Sequence, residues 1–192
     1  MKTVKYDGTI LWASLNHWPK IPNHFLNNLS TFQEDAVQGV GKLTRVAKHN
    51  DIEIKNTHYR RWSLLPELNE WIQTNIPCQF NQLGVQISDP VNQKAKLLAH
   101  CDNTPRRWTI LYILDLGGDN IFTHFYQEKD QPLVRDYRYI VDDYNSLEHI
   151  GSIKFEAERW IVVNGLVLHD VDFIDRPRIA ITGSVWDLSD LN

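Results

Sequence analysis

His100 and Asp102 stand two positions apart in the run Leu97-Leu98-Ala99-His100-Cys101-Asp102. On a β-strand, alternate residues project to the same face, so this imidazole and this carboxylate can converge on one metal ion. The intervening Cys101 then points away and reads as a buried, inert thiol. Alone, the pair carries little information. With 8 His and 24 acidic residues in 192 positions, about one His-x-acid triplet is expected from composition. A second triplet, His49-Asn50-Asp51, lies in a polar stretch at the end of an expected helix, where solvent exposure is the simpler reading. His169 separates the two, because it is followed by Arg178 at the head of the alternating run Arg178-Ile179-Ala180-Ile181-Thr182-Gly183-Ser184-Val185-Trp186. Two His and one carboxylate on a β framework form the facial triad of non-heme Fe(II) oxygenases, which leaves coordination positions open for a cosubstrate and dioxygen. Read in twos, Arg178, Ala180, Thr182, Ser184 and Trp186 share one face of their strand, and Ile179, Ile181 and Val185 the other. A guanidinium beside small residues and hydroxyls has room to fork onto a carboxylate. The same residue on an edge strand would instead pair with a surface acid.

These side chains need strands to hold them, and the second half of the chain supplies the pattern. Short β-like runs are expected at 82–87, 96–102, 109–114, 121–126, 135–141, 152–155, 159–163, 167–171 and 178–186. Gly117-Gly118-Asp119-Asn120, Asn164-Gly165 and Asp175-Arg176-Pro177 mark turns between them. Eight or nine such strands suggest a sandwich, barrel or jelly roll. Residues 1–78 read as a helical support region: one helix around 25–48, interrupted by Gly39 and Gly41, and a second with Ser63 as N-cap. In the second, Leu64, Leu65, Leu68, Trp71 and Ile72 fall on one face and Pro66 sits in the first turn. The expectation is one domain over 1–192, α+β but mainly β, with a catalytic core over 79–192 and N-terminal helices packed outside it.

Composition fits an ordinary globular chain, with 42% hydrophobic, 11% aromatic and 23% charged residues. A net charge of -4 argues against a strongly basic nucleic-acid footprint. Two cysteines cannot build a disulfide scaffold or a four-Cys zinc site. No stretch suits a signal peptide or a membrane span, so a soluble, cytoplasmic protein is expected.

The segments HCDNTPRRWTILYILDLGGDNIFTHFY and ERWIVVNGLVLHDVDFIDRPRIAITGSVW resemble the double-stranded β-helix core of the Fe(II)/2-oxoglutarate-dependent dioxygenases. The first is similar to the prolyl 4-hydroxylase pattern. The second is similar to the distal-His segment and its basic residue, with some likeness to aspartyl/asparaginyl β-hydroxylases. The resemblance implies a jelly-roll, cupin-like core. It implies His100, Asp102 and His169 as catalytic iron ligands and Arg178 as the anchor for 2-oxoglutarate, with Thr182 as helper hydroxyl. Where that cosubstrate is touched by a strand tyrosine, Tyr112 stands in this chain, though it reads equally as a core aromatic. Lys is usual at the Arg178 position in collagen-type prolyl hydroxylases, which separates this chain from them. The implied activity is hydroxylation of an amino-acid side chain, prolyl or other, in protein or free, with release of succinate and CO2. Fe(II), 2-oxoglutarate and O2 are the implied cofactors and partners, with ascorbate as an accessory reductant. The rivals are a cupin-like metal-dependent isomerase or epimerase, and a non-catalytic binding protein on the same fold. Among weaker residues, Arg106-Arg107 reads as a solvated loop or as a contact to an acidic substrate. His124 and Tyr126 line a substrate mouth or simply pack, and Asn164 is first of all a turn residue.

Overall fold

The computed structural model describes residues 2–26, 38–41, 46–90, 95–102 and 107–191. Its first element is a hairpin, β1 (Thr3–Tyr6) and β2 (Thr9–Ser14), turned by Asp7-Gly8 at φ 43° and 76°. Asp-Gly is the pair that tolerates two left-handed residues in a tight turn. One helical turn, α1 (Asn23–Leu26), precedes β3 (Gln38–Gly41), β4 (Val46–His49), β5 (Ile52–Asn56) and β6 (His58–Trp62). The expected helix over 25–48 is therefore corrected: Gly39 and Gly41 lie in a strand, while 27–37 and 42–45 fall outside the described residues. His49-Asn50-Asp51 ends no helix either. Asn50 and Asp51, at φ 47° and 65°, turn β4 into β5, with His49 opposite Ile52.

The second expected helix is present as α2 (Pro66–Asn75). Ser63 is not its cap; Leu65 holds that position without a side-chain hydrogen bond, and Pro66 opens the helix, where its missing N–H costs nothing. Leu68 and Ile72 are buried, with Leu64, Leu65 and Trp71 partly so.

Strands follow almost without interruption: β7 (Asn81–Asp89), β8 (Ala95–Cys101), β9 (Trp108–Asp115), β10 (Thr123–Glu128), β11 (Tyr139–Ile140), β12 (Leu147–Ile153), β13 (Trp160–Asn164), β14 (Leu168–Phe173) and β15 (Arg178–Val185). The run expected over 135–141 shortens to β11, because buried Arg135 is committed to an ion pair with Glu128 and to the ring of Tyr139. Two sheets result. One runs β1-β2-β13-β9-β15-β7-β6-β3, the other β12-β10-β14-β8-β5-β4 with β11 on β8. From β7 to β10, and again from β13 to β15, the chain passes to the other sheet at each new strand. All pairs are antiparallel except β5 with β8.

Strand parity sorts the apolar residues into two layers. Leu11, Leu111, Ile113, Ile161 and Val163 of the first sheet meet Phe125 of the second between the sheets. Trp62, Val85, Ile87, Ile110, Tyr112, Trp160 and Ile181 face the other way and pack under α2 with Trp18 and Ile21. The protein is thus mainly β, and in the described N-terminal region strands outweigh helices. Among the described residues, no helix is long and apolar enough to cross a membrane.

The outer layer sets a test of stability. Leu68→Ala should cost about 2–5 kcal/mol through lost burial and the cavity left behind. Glu70→Ala, on the exposed face of the same helix, should change stability by no more than about 0.5 kcal/mol. Urea unfolding of both variants checks the pair; equal losses would mean that α2 does not pack as described.

Candidate functional site

His100 on β8 and His169 on β14 are directly paired across the ladder, and their ring centroids lie 4.5 Å apart. Each ring is oriented in the same way. Nδ1 of His100 donates to the carbonyl of Leu98 at 2.8 Å, and Nδ1 of His169 to that of Val167 at 2.9 Å. Both hydrogen bonds fix the tautomer that leaves Nε2 as the unprotonated nitrogen, the arrangement that metal-binding histidines generally show. Burial first, and then the neighbouring His100, hold the pKa of His169 well below the usual histidine value. Asp102 follows at the end of β8 on the same side as His100. Its Oδ2 accepts a hydrogen bond from the Thr109 hydroxyl at 2.9 Å, and its backbone N–H donates to Gly165.

These three residues line a cavity of about 300 Å³ between the sheets. The facing wall is β15, which contributes Arg178, Thr182 and Ser184. Ala180 packs in the same inner layer, whereas Ile179, Ile181 and Val185 belong to the outer one, so the expected alternation holds along the strand. The Ser184 hydroxyl is engaged with the carbonyl of Asn81.

Arg178 is only 5% exposed and its guanidinium, among the described residues, makes no ion pair or hydrogen bond. Desolvation lowers its pKa to about 10, which still leaves it charged at neutral pH. A buried cation without a partner costs several kcal/mol, and an anionic ligand is the direct way to offset that. Gly117 secures its position. At φ 85° it turns the chain after β9, and a Cβ there would lie 2.8 Å from Ile174 and 3.0 Å from the Cβ of Arg178.

The structure places other candidates elsewhere. Tyr112 does not line the cavity. It lies on the outer side of β9, against Trp160 at 4.8 Å, because the inner positions of that strand are Thr109 and Leu111. The Asn164 side chain bonds Ile10 and Leu166 as a turn residue. Arg107 is exposed, and Arg106 lies outside the described residues. Cys101 points away from the cavity, its thiol pushed up to about 12 chiefly by burial. His124 and Tyr126 face the outside of the second sheet. There Tyr126 and Tyr144 donate to Asp170, which is buried in an ion pair with Lys96, and His124 donates to Asp172 at 2.9 Å.

Thr109, Gln82 and Gln86 also line the cavity, and the sequence reading did not select them. Arg138 lines it too, from the aromatic-basic run Asp136-Tyr137-Arg138-Tyr139, which reads from sequence equally as a binding rim or an exposed strand face. A signal was present for the glutamines: Gln82, Gly84 and Gln86 alternate with Leu83, Val85 and Ile87, which marks a polar inner face on an otherwise buried strand.

Among the described residues, no three His, Cys, Asp or Glu side chains are drawn together tightly enough to enclose an ion. The donor set suits one nonetheless: two imidazoles with oriented Nδ1 groups and a carboxylate held by a hydroxyl, all on one cavity.

No protein-family model matches the sequence, and no curated protein matches it. Among solved structures, the fold is similar to an oxidoreductase of the 2OG-Fe(II) oxygenase family from Burkholderia pseudomallei, at 11% identity and a TM-score of 0.49, over 90% of this chain and 84% of that one. It is also similar to ycfD of E. coli, at 11% identity and a TM-score of 0.43, over 94% of this chain but only 51% of that one, so the chain spans about half the length of ycfD. Neither likeness assigns a role to any residue here.

The outer face of the second sheet yields a pH prediction. The hydrogen bond to Asp172 raises the pKa of His124 above its usual value against some opposing desolvation. Its contribution to stability is therefore complete below about pH 6.5 and is lost as pH rises through the raised value. The hydrogen bond from His124 in turn lowers the pKa of Asp172, against desolvation as the largest effect, so the carboxylate's contribution is lost only in acid. His124→Gln should flatten the fall in stability above pH 6.5 without removing the acid limb. Urea midpoints from pH 5 to 9 test this, and an unchanged alkaline slope in the variant would refute it.

Proposed function

We propose that the protein is an Fe(II)- and 2-oxoglutarate-dependent dioxygenase that hydroxylates an amino-acid side chain, free or in a protein, with release of succinate and CO2. Arg178 carries the reading: an unpartnered, buried guanidinium faces a pair of oriented imidazoles across one small cavity. The passage from sheet to sheet in the second half of the chain supports a double-stranded β-helix. Strands β2, β5 and β6 hydrogen-bond to strands of the later region, which supports one domain over 1–192. Two free cysteines suit a reduced, cytoplasmic setting.

On this reading His100, His169 and Asp102 hold the ion. Bound there, it supplies the redox chemistry that couples oxygen to decarboxylation of the keto acid and hydroxylation of a carbon, with ascorbate as an accessory reductant. The protein's own residues do the rest. The Arg178 fork holds the far carboxylate of 2-oxoglutarate, and the Thr182 hydroxyl, two positions along the same face, adds a hydrogen bond. Leu111, Val163 and Val171 line the cavity with apolar surface, which strengthens these polar contacts by excluding water. A metal-dependent isomerase on the same scaffold would leave Arg178 with nothing to hold.

Arg178→Ala should weaken 2-oxoglutarate binding to the Mn(II)-loaded protein by about 2–5 kcal/mol, roughly thirtyfold or more, while metal affinity stays the same. Arg178→Lys should restore part of it, since an ammonium keeps the charge but loses the fork. Anaerobic calorimetric titration measures both. No 2-oxoglutarate binding by the wild type would sink the oxygenase reading.

The choice of ligands is tested separately. His100→Ala should abolish tight Mn(II) binding, whereas His49→Ala, at the exposed end of β4, should not. Equal metal affinity in the two variants would exclude the assigned triad.

A further inference from the structure

We infer that the cavity selects a substrate bearing a carboxylate, and that Arg138 at its rim is the residue that reads it; this rests on the oxygenase reading above. Arg138 immediately precedes β11, where Tyr139 pairs with Cys101 and Ile140 with His100. Continuing that antiparallel register places Arg138 opposite Asp102, at the end of the cavity where the proposed ion sits. Its side chain lines the cavity yet is exposed, and among the described residues it makes no ion pair or hydrogen bond. It is therefore not a structural cation of the kind Arg135 is, three positions earlier, bound to Glu128 and covered by Tyr139.

Charge balance points the same way. Among the described residues, Arg61, Arg138 and Arg178 line the cavity against one carboxylate, Asp102. A divalent ion and the dianionic cosubstrate cancel each other, so the loaded cavity keeps a surplus of positive charge. Arg178 is then occupied by the cosubstrate and Arg61 is engaged with its own neighbours. The remaining lining cation, Arg138, is exposed, so it stands where the cavity meets solvent. A single guanidinium, with neutral amides such as Gln82 and Gln86 elsewhere on the cavity wall, matches one carboxylate better than a phosphate backbone, which calls for several cations. The volume agrees. About 300 Å³ lies at the lower limit for small-molecule sites, and the cosubstrate fills part of it, so what enters beside it is one side chain or a small acid.

The test uses Mn(II)-loaded protein saturated with 2-oxoglutarate under anaerobic conditions. The probes are N-acetyl amino-acid amides, whose only charge is that of the side chain: aspartyl against asparaginyl, and glutamyl against glutaminyl. Calorimetric titration should show at least one acid binding tenfold or more tightly than its amide counterpart. Arg138→Gln should abolish that preference and Arg138→Lys should keep part of it, each with an unfolding midpoint like the wild type's. Failure of the wild type to bind 2-oxoglutarate overturns the parent reading. Normal 2-oxoglutarate binding without a preference for the acid, including binding of neither probe, overturns the carboxylate assignment alone. So does a preference that survives in Arg138→Gln.

Discussion

Desolvating a guanidinium is tolerable only where negative charge meets it, and the structure offers Arg178 none from its own described residues. Much of the surrounding architecture can be understood as holding that charge in place. Ala180 and Thr182 leave space along its own face, Gly117 permits the chain to pass against its Cβ, and β7 and β9 flank β15 on both sides so that the strand cannot shift. A protein that needed only stability would have placed an apolar residue there, at less cost. Keeping an unpaired cation in the interior makes sense if a ligand completes it.

The opposite treatment is visible one layer away. On β14, His169 faces the cavity, and the next residue, Asp170, faces outward and is fully buried as well. That carboxylate has Lys96 beside it and the hydroxyls of Tyr126 and Tyr144 on the same oxygen, and both phenols are pushed above their usual pKa chiefly by burial. Charges that serve the scaffold are thus answered within the scaffold. The imidazoles rest on this support: the spacing of His100 and His169 is set by a cross-strand pair, and their ring orientation by the carbonyls two residues before each of them. Sites built on a ladder in this way hold geometry more closely than sites built on loops.

Strand parity decided what could be read from sequence. Along β15 the alternation of Arg178, Ala180, Thr182 and Ser184 with Ile179, Ile181 and Val185 gave both faces correctly, and the same rule separated His100 and Asp102 from Cys101. Tyr112 failed under that rule. On a strand apolar on both sides, Trp108-Thr109-Ile110-Leu111-Tyr112, nothing local says which side is inner; the answer comes from the register that puts Leu111, not Tyr112, opposite Thr182. The N-terminal strands were missed for another reason. Asp7-Gly8 and Asn50-Asp51 are both hairpin turn signals, but each flanks strands of only four to six residues, too short for periodicity to outweigh the helical reading. The pairing of β5 with β8 and of β6 with β7, which ties that region into both sheets, is long-range and leaves no local trace.

The division of labour between the sheets narrows what the cavity can hold. One sheet supplies Arg178, Thr182, Gln82 and Gln86; the other supplies the two imidazoles, with Asp102 just after the strand that carries His100. Packed sheets stand about 10 Å apart, and side chains from both walls occupy much of that gap. On the proposed reading, with an ion at the imidazoles, a ligand that satisfies both walls at once would be short, anionic where it meets Arg178, and able to chelate at the other end. A monocarboxylate could satisfy either wall but not both. A larger acid would have to displace Leu111 or Val163, which are part of the core between the sheets and give way only at the cost of overpacking. A small keto diacid meets both conditions without disturbing that core, and the unpaired charge on β15 then has its counterion.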